Sequence, residues 1–145
     1  MTEIIKRRFV LLLITVFLLS GCQLISDKSN FLKVGGTKLK VEYAITEMEQ
    51  VRGLAGRDNL CPDCGMFFVF TDYQFRDFWM QGMKFPLDII WLKDNQIVAI
   101  NENVPIEDSN GPTVISSPSM VNQVLEVNSG WCQKNNIKVG EHLTK

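Results

Sequence analysis

The chain reads as a mainly β protein, an antiparallel β-sandwich or barrel-like single domain with one or two short helices. Three observations predict it. Apolar runs of strand length recur along residues 31–145, either alternating with polar residues or continuous. Turn dipeptides such as Gly35-Gly36 and Asp94-Asn95 separate them. No helical pattern spaces the strands regularly, as a βαβ layout would require.

The first element is not part of the fold. Lys6-Arg7-Arg8 precedes an 11-residue stretch from Phe9 to Leu19, apolar except for Thr15, and Ser20-Gly21-Cys22 follows. A basic start, a short apolar stretch and small residues make a secretory signal. A membrane-spanning helix needs about 20 apolar residues, so this stretch is too short to remain in the bilayer. Leu19-Ser20-Gly21-Cys22 resembles the lipobox of bacterial lipoproteins, where cleavage leaves a lipid-bearing Cys22 as the new N-terminus. The expected division is a signal peptide at 1–21, a lipidated tether at 22–30 and one β-rich domain at 31–145. Acyl chains on Cys22 would then be the link to the membrane, at about 0.8 kcal/mol per buried CH2. Gln23 after Cys22 is the pattern of lipoproteins sorted to the outer membrane, so the expected location is extracytoplasmic, on its periplasmic face where the host has one.

Within the domain, Phe31–Val34 and Thr37–Ile45 form a hairpin about Gly35-Gly36, the second arm alternating Leu39, Val41, Tyr43 and Ile45 with Lys38, Lys40 and Glu42. Thr46 and Glu49 make a capping box, and Met48, Val51, Arg52 and Ala55 follow at helical spacing; a helix is expected over 47–55, ended by Gly56. Gly65 to Phe70 is a continuous apolar strand, followed by strands at 77–80 and 87–92. Asp94-Asn95 turns the chain into 96–103. Residues 105–119, rich in proline and serine, read as a long surface loop. Val121 to Asn128 is a strand with Glu126 expected to point to solvent. Ser129 is placed to cap a short helix through Lys134, and a final strand runs from Val139 to Leu143.

Charge limits the partners. The formal net charge is −1, and removing residues 1–21 with Glu3, Lys6, Arg7 and Arg8 lowers it to −3, which argues against nucleic acid. The sequence displays no Ser-His-Asp set, no readable acid/base carboxylate pair and no phosphate-binding loop. The balance favours a non-enzymatic binding protein.

Arg52-Gly53-Leu54, Gly65-Met66-Phe67-Phe68-Val69-Phe70, Phe78-Trp79-Met80, Pro86-Leu87-Asp88-Ile89-Ile90 and Val124-Leu125-Glu126 through Gly130 occur in an order that resembles the "ancient conserved region" family, domain of unknown function 192. The resemblance spans about Leu39 to Leu143. It implies a compact, β-rich, often exported domain without an assigned activity. Two departures stand out against that family: Gln81-Gly82-Met83 follows Trp79-Met80 where a Lys-Asn-Thr-like stretch is usual, and Cys61 and Cys64 occupy a turn that relatives fill with polar residues. Cys132 falls where relatives tend to carry alanine, which implies a small buried residue.

Several constellations are candidates for chemistry. Cys61 and Cys64 form a disulfide or a thiol pair, and with Cys22 lipidated, Cys132 is left over. Thiol-redox activity would need a cysteine at a helix N-terminus, whereas this motif precedes a strand. Zinc would require Cys61, Cys64, Cys132 and His142 to converge; copper would use the thioethers of Met80 and Met83. Arg52, Asp88 and Glu126 are charges set inside apolar motifs, and a buried Asp88 would take Arg52 as its partner. The surface expected to meet a small ligand or an envelope protein comprises Trp79, Met80 and the 105–119 loop, with Arg52 and Asp88 behind it. An exposed Trp79 beside a concave apolar pocket is the geometry that this expectation needs.

Overall fold

The computed structural model describes residues 30–108 and 111–145. The signal segment, Cys22 and the tether as far as residue 29 lie outside the described residues. No helix among the described residues is long and apolar enough to cross a membrane.

Seven strands form one curled sheet. In chain order they are β1 (Phe31–Val34), β2 (Thr37–Ala44), β3 (Cys64–Gln74), β5 (Leu87–Lys93), β6 (Gln96–Val104), β10 (Val121–Asn128) and β11 (Leu143–Thr144). Across the sheet the order is β11-β1-β2-β3-β10-β5-β6. A small second sheet pairs β4 (Asp77–Trp79) with β9 (Val114–Ser116), and a third pairs β7 (Glu107–Asp108) with β8 (Gly111–Pro112). The sheet's outer strands approach each other through an isolated bridge between Gln96 and His142. There the Leu143 N–H donates to the Asn95 carbonyl at 2.8 Å. That contact gives the sheet its half-barrel form.

The hairpins follow from local chemistry. Asp94 and Asn95 both take positive φ, 51° and 66°, as a primed two-residue turn requires. β3, β10 and β5 are central, and burial on both faces over Gly65–Phe68 and Leu87–Leu92 explains the mostly apolar runs of β3 and β5 there. Gly65 is needed where β3 meets β10, because a Cβ there would stand 2.7 Å from the Glu126 carbonyl oxygen.

Side chains alternate between two cores. Phe67, Ile90, Leu92, Leu125 and Val127 project to one face, where they pack with Leu39, Trp131, Cys132 and Leu143. Met66, Phe68, Ile89, Trp91 and Val124 project to the other, under Leu54, Met80 and Met83. The second face is covered by the chain between β2 and β3 and by the small β4–β9 sheet.

Several expectations are corrected. The helix, α1, is shorter than expected and covers only Glu47–Arg52. Its apolar spacing does not seek the core: Met48 is 82% exposed and Val51 64% exposed. It is held instead by its capping box and by Gln50 Nε2, which donates to the carbonyls of Ala44, Ile45 and Val69. α1 also links β2 to β3 in parallel, a single crossover in an otherwise antiparallel sheet. The 105–119 segment carries β7, β8 and β9 and is therefore more ordered than a plain loop. The short second helix, α2 (Trp131–Lys134), begins at Gly130 in the left-handed region, and the Ser129 side chain does not cap it. The last strand is limited to Leu143–Thr144.

Candidate functional site

A cavity of about 450 Å3 opens on the second face of the sheet, between α1 and the chain entering β4. Its roof is α1 and the turn that follows, with Gln50, Arg52, Gly53 and Leu54. Phe68 and Phe70 on β3 form one wall, and Phe75 to Trp79 the other; Glu126 from β10 lies at the base. The aromatic wall is fixed by edge-to-face contacts. Phe78 meets Phe68 with centroids 4.9 Å apart and Trp91 with centroids 5.5 Å apart.

Trp79 is 56% exposed at the mouth, held in β4 opposite Val114. The other two tryptophans are buried and partnered: Trp91 Nε1 donates to Asn101 Oδ1 and Trp131 Nε1 to Asp63 Oδ1. Arg76 forms part of the wall. Its guanidinium carbon lies 3.8 Å from the Phe70 ring centroid, and Nη2 donates to the carbonyl and carboxylate of Asp72. Its Nε is buried and has no hydrogen-bond partner.

Glu126 is the chemically distinctive residue. The alternation of β10 sends it inward with Val124, not to solvent as expected, because the covering layer over this face buries what a bare sheet would expose. Only 6% of the residue is exposed, and Oε2 has no hydrogen-bond partner. Burial without a compensating donor pushes its carboxyl up to about 8, so the group is mainly protonated at neutral pH. Gly53 lies over it: a Cβ at that position would stand 4.0 Å from Glu126 Oε2 and 3.5 Å from Phe68 Cζ. With φ at 49°, Gly53 also ends α1 in a conformation that L side chains disfavour.

Asp88 belongs elsewhere. It projects to the first face and does not meet Arg52. Its Oδ1 accepts the N–H groups of Asn103 and Gly130 at 2.8 and 3.0 Å, and its Oδ2 accepts that of Cys132 at 2.9 Å. β5 thus supplies the cap that α2 lacks from its own sequence. Arg52 is exposed at the rim of the cavity and makes no ion pair among the described residues. Met80 is buried in the core together with Met83, so of the expected surface pair only Trp79 is exposed.

The cysteines stand apart from the cavity. Cys61 and Cys64 are joined by a disulfide, their Cα atoms 5.2 Å apart, in a turn that leads into β3. Cys132 is free and buried beside Asp88, and burial pushes its thiol well above its ordinary value, with the Asp88 charge adding to the effect. The described residues do not bring Cys61, Cys64, Cys132 and His142 together; no group of three or more His, Cys, Asp or Glu among them is placed to hold a metal ion.

Sequence reasoning singled out Glu126, Arg52 and Trp79, which the fold does bring to one cavity. It missed Gly53, Phe70, Phe75 and Arg76. A usable signal is the stretch Phe75-Arg76-Asp77-Phe78-Trp79, where two charges are set between aromatic residues.

Among solved structures, proteins of the same fold include two that are 29% identical to this chain. One is a candidate transcription regulator from Sinorhizobium meliloti 1021, 29% identical, with a TM-score of 0.71, covering 79% of this chain and 89% of that one. The other, of unknown function, is from Novosphingobium aromaticivorans DSM 12444, also 29% identical with a TM-score of 0.71, covering 79% of this chain and 84% of that one. Comparison with curated proteins gives no match. The family DUF192, described as "Uncharacterized ACR", matches residues 30–145. The chain belongs to that family.

Proposed function

We propose that this chain is a membrane-tethered binding protein whose pocket beneath α1 takes a small ligand with an apolar body and one polar end. Lipid on Cys22 would hold it at the outside of a bacterial membrane, on the periplasmic face of the outer membrane where there is one. The observation that carries the binding reading is Glu126: a buried carboxyl with an unpartnered oxygen at the base of an aromatic cavity. An unsatisfied buried acceptor costs about 1–3 kcal/mol, a cost that a ligand group would remove on binding. Exposed Trp79 and Phe75 at the mouth supply flat apolar surface for the body of that ligand.

A thermal-shift and tryptophan-fluorescence screen of small amphiphilic molecules tests the pocket. Ligands are expected to raise Tm and change Trp79 emission, both effects disappearing in Trp79→Ala. A diverse panel that moves neither signal would sink the reading. The anchor is tested separately: the wild-type chain is expected in the membrane fraction of cells, and Cys22→Ala in the soluble fraction.

A further inference from the structure

We propose that the ligand of this pocket is a small organic cation, an ammonium group on an apolar body, with the ammonium seated against Glu126. The inference rests on the pocket reading above and adds the chemical class.

Three observations point to a cation. First, the buried acid has no positive partner inside the protein. Arg52 stands at the exposed rim; Arg76 Nη2 is held by Asp72, and Arg76 Nε, buried and unpartnered, makes no hydrogen bond to Glu126. Second, the lining includes the aromatic rings of Phe70, Phe75, Phe78 and Trp79, side chains whose π-faces attract cations. Arg76 over Phe70 already makes such a contact in this wall. Third, the lining carries no excess of positive charge that would repel a cation. Glu47 on α1, Asp77 at the start of β4 and Glu126 face Arg52 and Arg76, with Asp72 offsetting the latter. On the sheet itself Glu126 lies between Met66 and Ile89, and Glu42 beyond Met66 is tied to Arg57.

The chemistry balances simply. Free Glu126 holds its proton at neutral pH; an entering ammonium pairs with the carboxylate, and the carboxyl proton leaves to solvent. Binding therefore tightens as pH rises towards about 8 and releases close to one proton per ligand at pH 7. A neutral hydroxyl ligand would show no such rise.

The test uses the intact chain and three probes with similar bodies: 2-phenylethylammonium, 2-phenylethanol and 3-phenylpropionate. Titration calorimetry in two buffers of different ionisation enthalpy counts protons. The ammonium is expected to bind tightest, to gain roughly 50-fold in affinity between pH 6 and 8, and to release one proton. Glu126→Gln is expected to remove both the preference and the pH dependence. Proton counting on the wild-type chain keeps the proposal testable if that variant fails to fold. Equal or tighter binding of the alcohol or the carboxylate overturns the cation and leaves the pocket standing. Binding of none of the three, with a negative amphiphile screen, overturns both.

Discussion

Asp88 and Glu126 occupy neighbouring strands one residue apart in register, Asp88 opposite Val127 and Glu126 opposite Ile89. Both are buried, at 0% and 6% exposure, yet they leave the sheet on opposite faces and meet opposite conditions. Beneath Asp88 the turn into α2 directs two backbone N–H groups at the carboxylate, and Asn103 on β6 adds a third. Around Glu126 the neighbours are ring carbons, a glycine and empty volume. Burial alone therefore does not assign a carboxyl to structure or to function; the supply of donors does. The first acid completes the fold, and the second leaves a vacancy in hydrogen bonding that the fold does not fill.

Removing the structural acid should have the largest effect. Asp88→Ala would orphan the N–H groups of Asn103, Gly130 and Cys132 and is expected to cost about 4 kcal/mol in urea denaturation. A loss below about 1 kcal/mol would erase the contrast between the two acids. The change at the second acid has the opposite sign. Because the Glu126 carboxyl is raised from an ordinary value near 4.5 to about 8, the folded state holds a proton that the unfolded state gives up between those values. Stability therefore falls as pH rises from about 4.5 to about 8. Glu126→Gln is expected to flatten that slope and to gain on the order of 3 kcal/mol at pH 8.5 over the wild-type chain. Parallel pH profiles of wild type and variant would place a partner beside Glu126 and break the comparison.

A smaller loss is expected from the disulfide turn. Cys61→Ser with Cys64→Ser opens a loop spanning a sequence separation of 3 and should cost about 2 kcal/mol at most. The turn touches the Asp88 side of the fold through Trp131 Nε1, which donates to Asp63 Oδ1 at 3.2 Å, and none of residues 61–64 lines the cavity. Its removal should therefore leave ligand binding at Glu126 unchanged, measured by the same fluorescence titration. Trp79→Ala should change stability least, within about 0.5 kcal/mol, because the side chain is largely exposed. Its effect should appear only in binding, and a large stability loss would place Trp79 in the core of the second face.

Strands whose signal is local were legible in the sequence. β10 runs over the expected residues 121–128, the first hairpin turns at Gly35-Gly36, and the Asp94-Asn95 turn takes the backbone that its residues favour. Features set by long-range covering were not. Glu126 sits among apolar residues on a strand whose two faces cannot be distinguished without knowing what lies above each. The same ambiguity suggested an Arg52–Asp88 pair between residues that the fold places on different faces. Met48 and Val51 carry helical spacing but no core, since α1 bridges two strands and is held by hydrogen bonds at its N-terminal end. The site was legible as residue types, not as a constellation: Arg52, Trp79 and Glu126 are far apart in sequence, and only the crossover brings them around one cavity.

That crossover has a consequence for how occupancy could be observed. α1 buries none of its own side chains, so little apolar packing opposes its transient opening, and its amides should exchange with solvent much faster than those of β3 or β10. A molecule filling the cavity would add contacts to the underside of this one segment. Deuterium uptake over residues 47–56 should then slow on binding while the sheet stays unchanged. The roof of the pocket would thus act as its own built-in sensor, reporting even on ligands that leave tryptophan emission untouched.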